Sequence, residues 1–166
     1  MPCACRAHGQ KGVVMFRQAI RTTAAMCGAA SLHLLLAAAA SAAYVEVPLA
    51  GSAVTASTSD GNVPANAVDN NLSTRWSGSG DGAWIRFDLG TVRRVGYVGI
   101  AVYGGNARQN SFDLQVSSDG STWADVITGG ATSGTTTLEQ NHDFADVDAR
   151  YVRYVRHRST AGTSTA

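Results

Sequence analysis

Asp69-Asn70-Asn71-Leu72-Ser73-Thr74-Arg75-Trp76, followed closely by Trp84-Ile85-Arg86-Phe87-Asp88-Leu89-Gly90, decides the fold. The first stretch crowds short polar side chains that bond to their own backbone, which makes a tight turn, and then delivers a tryptophan. The second alternates. Ile85, Phe87 and Leu89 fall on one face of a strand, Trp84, Arg86 and Asp88 on the other, and Gly90 reads as its stop. A strand with one apolar face needs a second layer to cover it.

The same period recurs outward from these stretches. Val54-Thr55-Ala56-Ser57 starts a strand, and Pro64 suits the first position of a single helical turn over 64–68. Residues 95–103 form a long strand with Val98, Ile100 and Val102 in phase. Phe112, Leu114 and Val116 repeat the pattern before the tight turn at Asp119-Gly120. Another strand begins at Trp123, a Gly/Ser/Thr loop covers 129–137, Phe144 and Val147 start the last apolar stretch, and residues 151–156 form its strand. Short strands separated by turn signals make an all-β sandwich. Trp76 is expected under the oxygen-rich turn, Trp123 in the core, and Trp84 facing outward. Arg153, out of phase with Val152 and Val155, is expected on a solvated face.

The first 43 residues do not belong to this pattern. From Met15, an alternative start, two arginines (Arg17, Arg21) precede an Ala/Leu run and then Ser41-Ala42-Ala43, the order of a secretory signal peptide cleaved after Ala43. The apolar run is short for a membrane span, and a membrane anchor is the other reading. All three cysteines (Cys3, Cys5, Cys27) precede residue 44, so a secreted chain starting at Tyr44 carries no disulfide. From Tyr44 onward nine Arg face twelve Asp and Glu, a net charge of −3. That balance excludes the dense basic face that nucleic acid or anionic lipid requires, so neither is expected as a partner.

Four ordered blocks carry a family resemblance: residues 69–76, 84–90, 112–123 and 149–155. Together they resemble the discoidin, or coagulation factor 5/8 type C, domain, in the form of the family 32 carbohydrate-binding modules appended to bacterial alginate and pectate lyases. The resemblance implies a galactose-binding-like jelly-roll sandwich over residues 54–158, after a linker at 44–53 and before a disordered tail at 159–166. It also implies a further C-terminal strand and a lyase domain that this sequence lacks. The expectation is a secreted, monomeric, non-catalytic module for a uronic-acid- or galactose-containing polymer such as alginate, pectin or galactan. A protein- or surface-adhesion module of the same fold and a non-functional gene fragment are the alternatives.

Two groups of residues are candidates for function. Asp69, Asn71 and Thr74 offer hard oxygens of the kind Ca²⁺ takes, although the same residues make an ordinary Asx turn without metal. The resemblance implies that these three, with the backbone oxygen of Asn66 and two further ligands from the C-terminal strand, hold a structural Ca²⁺, so the site is expected to be incomplete in this sequence. The loop Tyr103-Gly104-Gly105-Asn106-Ala107-Arg108-Gln109-Asn110 offers an aromatic face, amides and a guanidinium that forks onto carboxylates, so Tyr103, Asn106, Arg108 and Asn110 are candidate sugar ligands. His157, just past the last strand, joins them on the family's binding face, and His142 is a weaker candidate. No cysteine nucleophile, serine elbow, zinc motif or phosphate-cradling loop occurs after residue 43, so no catalytic residue is expected.

Overall fold

The computed structural model describes residues 46–157, together with the backbone of Arg17–Gln18 and Thr160–Ala161. Apart from the backbone of Arg17–Gln18, the expected leader over 1–43, its cleavage after Ala43, and most of the expected tail lie outside the described residues. Among the described residues eight strands follow one another: β1 (Arg17–Gln18), β2 (Val54–Ala56), β3 (Trp84–Ile100), β4 (Arg108–Gln109), β5 (Ser111–Ser117), β6 (Ala124–Ala131), β7 (Gln140–Arg156) and β8 (Thr160–Ala161). All pairings are antiparallel.

The expected sandwich is present, but it is built from longer strands than the alternation indicated. Gly90 does not stop β3. It sits at φ +80, which glycine adopts without steric cost, and the strand passes through it to Ile100. The β3–β7 register slips there, between Asp88 and Arg93, and again between Val95 and Tyr97. These irregularities bend the ladder, as bulges do.

The bend creates the second layer. Phe112 pairs with Arg156 at one end of β7, yet its ring meets the His142 ring edge-on at 5.0 Å. At ~3.3 Å per residue, the segment from His142 to Arg156 would span about 46 Å if straight. The ladder therefore doubles back. The first half of β3 and the second half of β7 join β2, β5 and β6 in one layer. The second half of β3 and the first half of β7 cover it, with β1 along their edge.

Between the layers lie Ile85, Phe87, Val98, Ile100, Phe112 and Leu114, as the period-2 reading required, together with Val95, Val152 and Tyr154. Trp76 is buried beneath the polar turn, and its indole Nε1 donates to the Thr58 carbonyl at 2.9 Å. Pro64–Ala67 forms the single turn expected there, as a 3-10 helix.

Several expectations need correction. The supposed linker contributes to the core, since Val47 is buried and Leu49 packs against the cluster. Within the supposed tail, the backbone of Thr160–Ala161 pairs with Arg108–Gln109. Trp123 is not in the core; it is half-buried with the Arg153 guanidinium 4.0 Å over its ring. Arg153 shares its face with Val155 and Tyr151, whereas Val152, Tyr154 and Arg156 point inward.

His142 faces the interior with a buried Nε2 that has no hydrogen-bond partner among the described residues, and burial holds its pKa below the usual histidine range. The unfolded chain takes up that proton near pH 6.5, the folded chain only at lower pH, so folding stability is lost as pH drops below about 6.5. We expect the melting temperature to fall between pH 7 and 5 and His142→Phe to flatten that fall. An equal fall in the variant would show that His142 is not its cause.

Candidate functional site

The oxygen-rich turn is built as the sequence indicated. Asp69 Oδ1 accepts the Asn71 N–H at 2.9 Å, and Asn71 Oδ1 accepts the Ser73 N–H at 3.0 Å. Thr74 Oγ1 lies 2.5 Å from Asp69 Oδ2 and 2.9 Å from the Asn71 carbonyl. Asn70 takes the left-handed conformation, φ +57, that lets the loop close. The Asn66 side chain donates to the Arg75 carbonyl at 3.0 Å and ties the preceding 3-10 turn to the loop's exit.

This donor set suits a hard cation in its chemistry. Every donor is an oxygen, two converge within 2.5 Å, and a carboxylate keeps lone pairs beyond those used inside the turn. Among the described residues no three His, Cys, Asp or Glu side chains gather as a metal cluster. An ion here would therefore rest on the single Asp69 carboxylate supplemented by amide, hydroxyl and carbonyl oxygens.

A groove of about 380 Å³ opens beside the turn, lined by Leu72, Ser73, Ala101, Val102, Tyr103, Gly104 and Thr137. Tyr103 is 46% exposed at its wall, with the Arg75 guanidinium 4.2 Å above the ring. Arg75 Nε is buried without a hydrogen-bond partner among the described residues. Gly104, at φ +66, lies under Arg108, whose Nε would be 3.3 Å from any Cβ added there. Gly105 is pressed on by the Thr136 and Val102 carbonyls, which would sit 2.5 and 2.8 Å from a Cβ, so only glycine lets the 132–139 loop close here. Among the described residues neither Arg75 nor Arg108 forms an ion pair with a carboxylate.

The candidate ligands thus separate. Arg108 lies against Gly104, the residue after Tyr103, and Asn106 is exposed on the same loop. Asn110 is 2% exposed and cannot face a ligand: its backbone exchanges hydrogen bonds with Thr132, both at 3.0 Å, and its side chain bonds Tyr154. His157 turns to a different set of groups, with Nε2 2.7 Å from Asp113 Oδ2 and Nδ1 3.7 Å from Asp81 Oδ1. Its N–H donates to the Ser111 carbonyl at 2.8 Å. His142 lies between the layers. The sequence reading missed Arg75, whose only local signal is its position between the polar turn and Trp76.

A β-sandwich whose end loops set an exposed tyrosine, with an arginine over its ring, at the wall of a groove is the form of a carbohydrate-binding module, and known proteins agree. The F5/8 type C domain model matches residues 52–165, so the chain belongs to that family. Its fold is similar to the family 32 carbohydrate-binding module of AlyQ, solved in complex with 4,5-unsaturated mannuronic acid. The identity is 40%, covering 67% of this chain and 85% of that one, with a TM-score of 0.64. A pectin-binding carbohydrate-binding module is 25% identical over 69% of this chain and 91% of its own, TM-score 0.61. A family 32 module from Clostridium perfringens, solved with GalNAc-β-1,3-galactose, is 19% identical over 68% and 88%, TM-score 0.55, a likeness of fold alone. No curated protein sequence matches the chain.

Because Asn110 supports the fold from a buried position, Asn110→Ala should destabilise by about 1–3 kcal/mol, through the partners it leaves unpaired. Denaturant unfolding measures the loss. Sugar affinity of the folded fraction should stay unchanged, and a selective loss of affinity would return Asn110 to the site.

Proposed function

We propose that this module holds an acidic polysaccharide, a uronic-acid polymer of the alginate or pectin kind, in the groove beside Tyr103. The observation that carries the reading is the exposed Tyr103 ring with the Arg75 guanidinium over it and Arg108 against the neighbouring Gly104, two arginines that have no carboxylate partner among the described residues. A pyranose lays its C–H face on an aromatic ring, and a guanidinium binds a carboxylate through two parallel N–H···O bonds. The AlyQ module's uronate ligand and the pectin-binding module's substrate class support this choice over a neutral galactan. The module binds without chemistry of its own, acts as a monomer, and is exported by the leader.

Arg108→Ala and Arg75→Ala should each weaken binding of oligouronates by about tenfold or more, since hydrogen bonds to charged groups contribute about 1.5–3 kcal/mol. Calorimetric titration with oligomannuronate, oligogalacturonate and a neutral galactan decides the matter. Equal affinity for the neutral polymer, or no change in either variant, would overturn the reading.

The turn beneath the groove is proposed as a structural Ca²⁺ site, held by the side chains of Asp69, Asn71 and Thr74 and the backbone oxygen of Asn66. An ion bound only by the folded state raises stability through mass action. Calcium should lift the melting temperature by a few degrees over a chelator control, and Asp69→Asn should remove that increment. Identical melts with calcium and chelator would leave the turn as hydrogen bonds alone.

A second reading, adhesion to a protein surface, draws on Leu72 at the groove and Leu138, 63% exposed just beyond Thr137. It requires that Leu138→Ser abolish attachment while oligouronates fail to compete.

A further inference from the structure

The outer face of the larger layer carries a second arrangement of arginines and aromatic rings. The register sets Thr55, Arg86, Arg153, Gln115 and Asp125 in one row across β2, β3, β7, β5 and β6. At ~4.8 Å between strands the row is about 19 Å long. In its middle Arg86 and Arg153 are direct partners, two like charges opposed on adjacent strands, an arrangement that destabilises a sheet.

Rings bracket this pair. The Arg86 guanidinium lies 5.5 Å over Tyr151, and that of Arg153 lies 5.9 Å over Trp84 and 4.0 Å over Trp123. The acids of the face are engaged elsewhere. Asp88 takes both arms of Arg150 at 2.9 Å, Asp113 is held by His157 and the Gly129 N–H, and Asp125 accepts from Gln115. Arg86 itself contacts only the Thr55 hydroxyl at 3.2 Å, and Arg153 bonds a neutral amide oxygen, that of Gln115, at 2.8 Å. Burial first, and the Arg86 charge second, hold the Arg153 pKa below its usual value. Two guanidiniums with no direct ion pair among the described residues, on which the Asp88 and Asp125 carboxylates act only at longer range, thus share a half-buried, aromatic-lined strip.

We propose that this strip is a second binding site for an acidic sugar chain, in which Arg86 and Arg153 clamp one carboxylate and the Trp84 ring takes the C–H face of an adjoining pyranose. The anion relieves the repulsion between the paired arginines, and the aromatic floor distinguishes a sugar acid from a bare anion. None of its residues lines the groove at Tyr103. The choice of ligand rests on the proposed acidic polysaccharide, whereas the site's location does not.

The test follows the indole N–H resonances of Trp84 and Trp123 by heteronuclear NMR during titration with an oligomannuronate. The buried Trp76 indole, bonded to Thr58, serves as the internal reference. Saturable shifts of Trp84 and Trp123 are expected in the intact protein and equally in the groove variant Tyr103→Ala/Arg108→Ala. They should weaken by about tenfold in Arg86→Gln and recover in part in Arg86→Lys. Shifts that vanish in the groove variant, that persist unchanged in Arg86→Gln, or that equimolar acetate reproduces would overturn the proposal. Failure of groove binding with the sheet-face shifts intact would instead count against the groove assignment alone.

Discussion

The β3–β7 ladder is the constraint from which the rest of the molecule follows. Two strands of seventeen residues each pair from Trp84–Val155 at one end to Ile100–Gln140 at the other, and the slips around Gly90 fold this single ladder into both layers. A ladder that supplies two layers fixes more than the core. Because Ile100 pairs with Gln140, the chain leaving β3 at Ala101 and the chain entering β7 from Thr137 must emerge side by side. They become the walls of the groove, and Gly105 permits their close approach. Geometry at the site is thus inherited from register rather than assembled by the loops.

At the other end the same ladder brings a charge inward. Arg156 is buried beside Tyr154, and its Nη1 donates to the Gly78 and Gly80 carbonyls at 3.0 and 3.3 Å. Backbone oxygens replace a carboxylate here, so the cation is solvated by the loop it organises. The loop is reinforced by the Gly82 N–H to the Arg156 carbonyl and the Arg156 N–H to the Ala83 carbonyl, both 2.8 Å. Removing that guanidinium would strand carbonyls within the sheet end, a costlier change than loss of an exposed ion pair.

Period-2 alternation revealed the core because burial selects for it locally: Ile85, Phe87 and Leu89, or Phe112, Leu114 and Val116, announce their inward face with no knowledge of partners. The turn at 69–74 was legible for the same reason, since its hydrogen bonds join residues within five of one another. What failed was long-range. Gly90 reads as a stop unless it is known that residues 89–92 of β3 bulge opposite the single Arg150 of β7. Asn110 reads as a loop amide until Thr132 and Tyr154, far along the chain, close over it. Trp123 reads as core until Arg153 from another strand covers it. Arg75 was invisible because only folding brings Tyr103 beneath it.

Net charge is a poor guide to what such a surface attracts. From Tyr44 onward the chain carries three more acids than bases, yet many of its acids are consumed internally: Asp119 by the N–H groups of Ser121 and Thr122, Asp88 by Arg150, Asp113 by His157, Asp69 by its own turn. Hydrogen bonds to the charged form pull Asp119 well below the ordinary carboxylate range, and the Arg150 bond does the same for Asp88. Carboxylates fixed in this way project less field outward than their number implies. Arg75, Arg86 and Arg108, each without an ion-pair partner among the described residues, keep their donors available to anions. A weakly acidic domain can therefore select an acidic ligand, because selection depends on which charges remain uncompensated at short range, where a Debye length of about 8 Å leaves them unscreened.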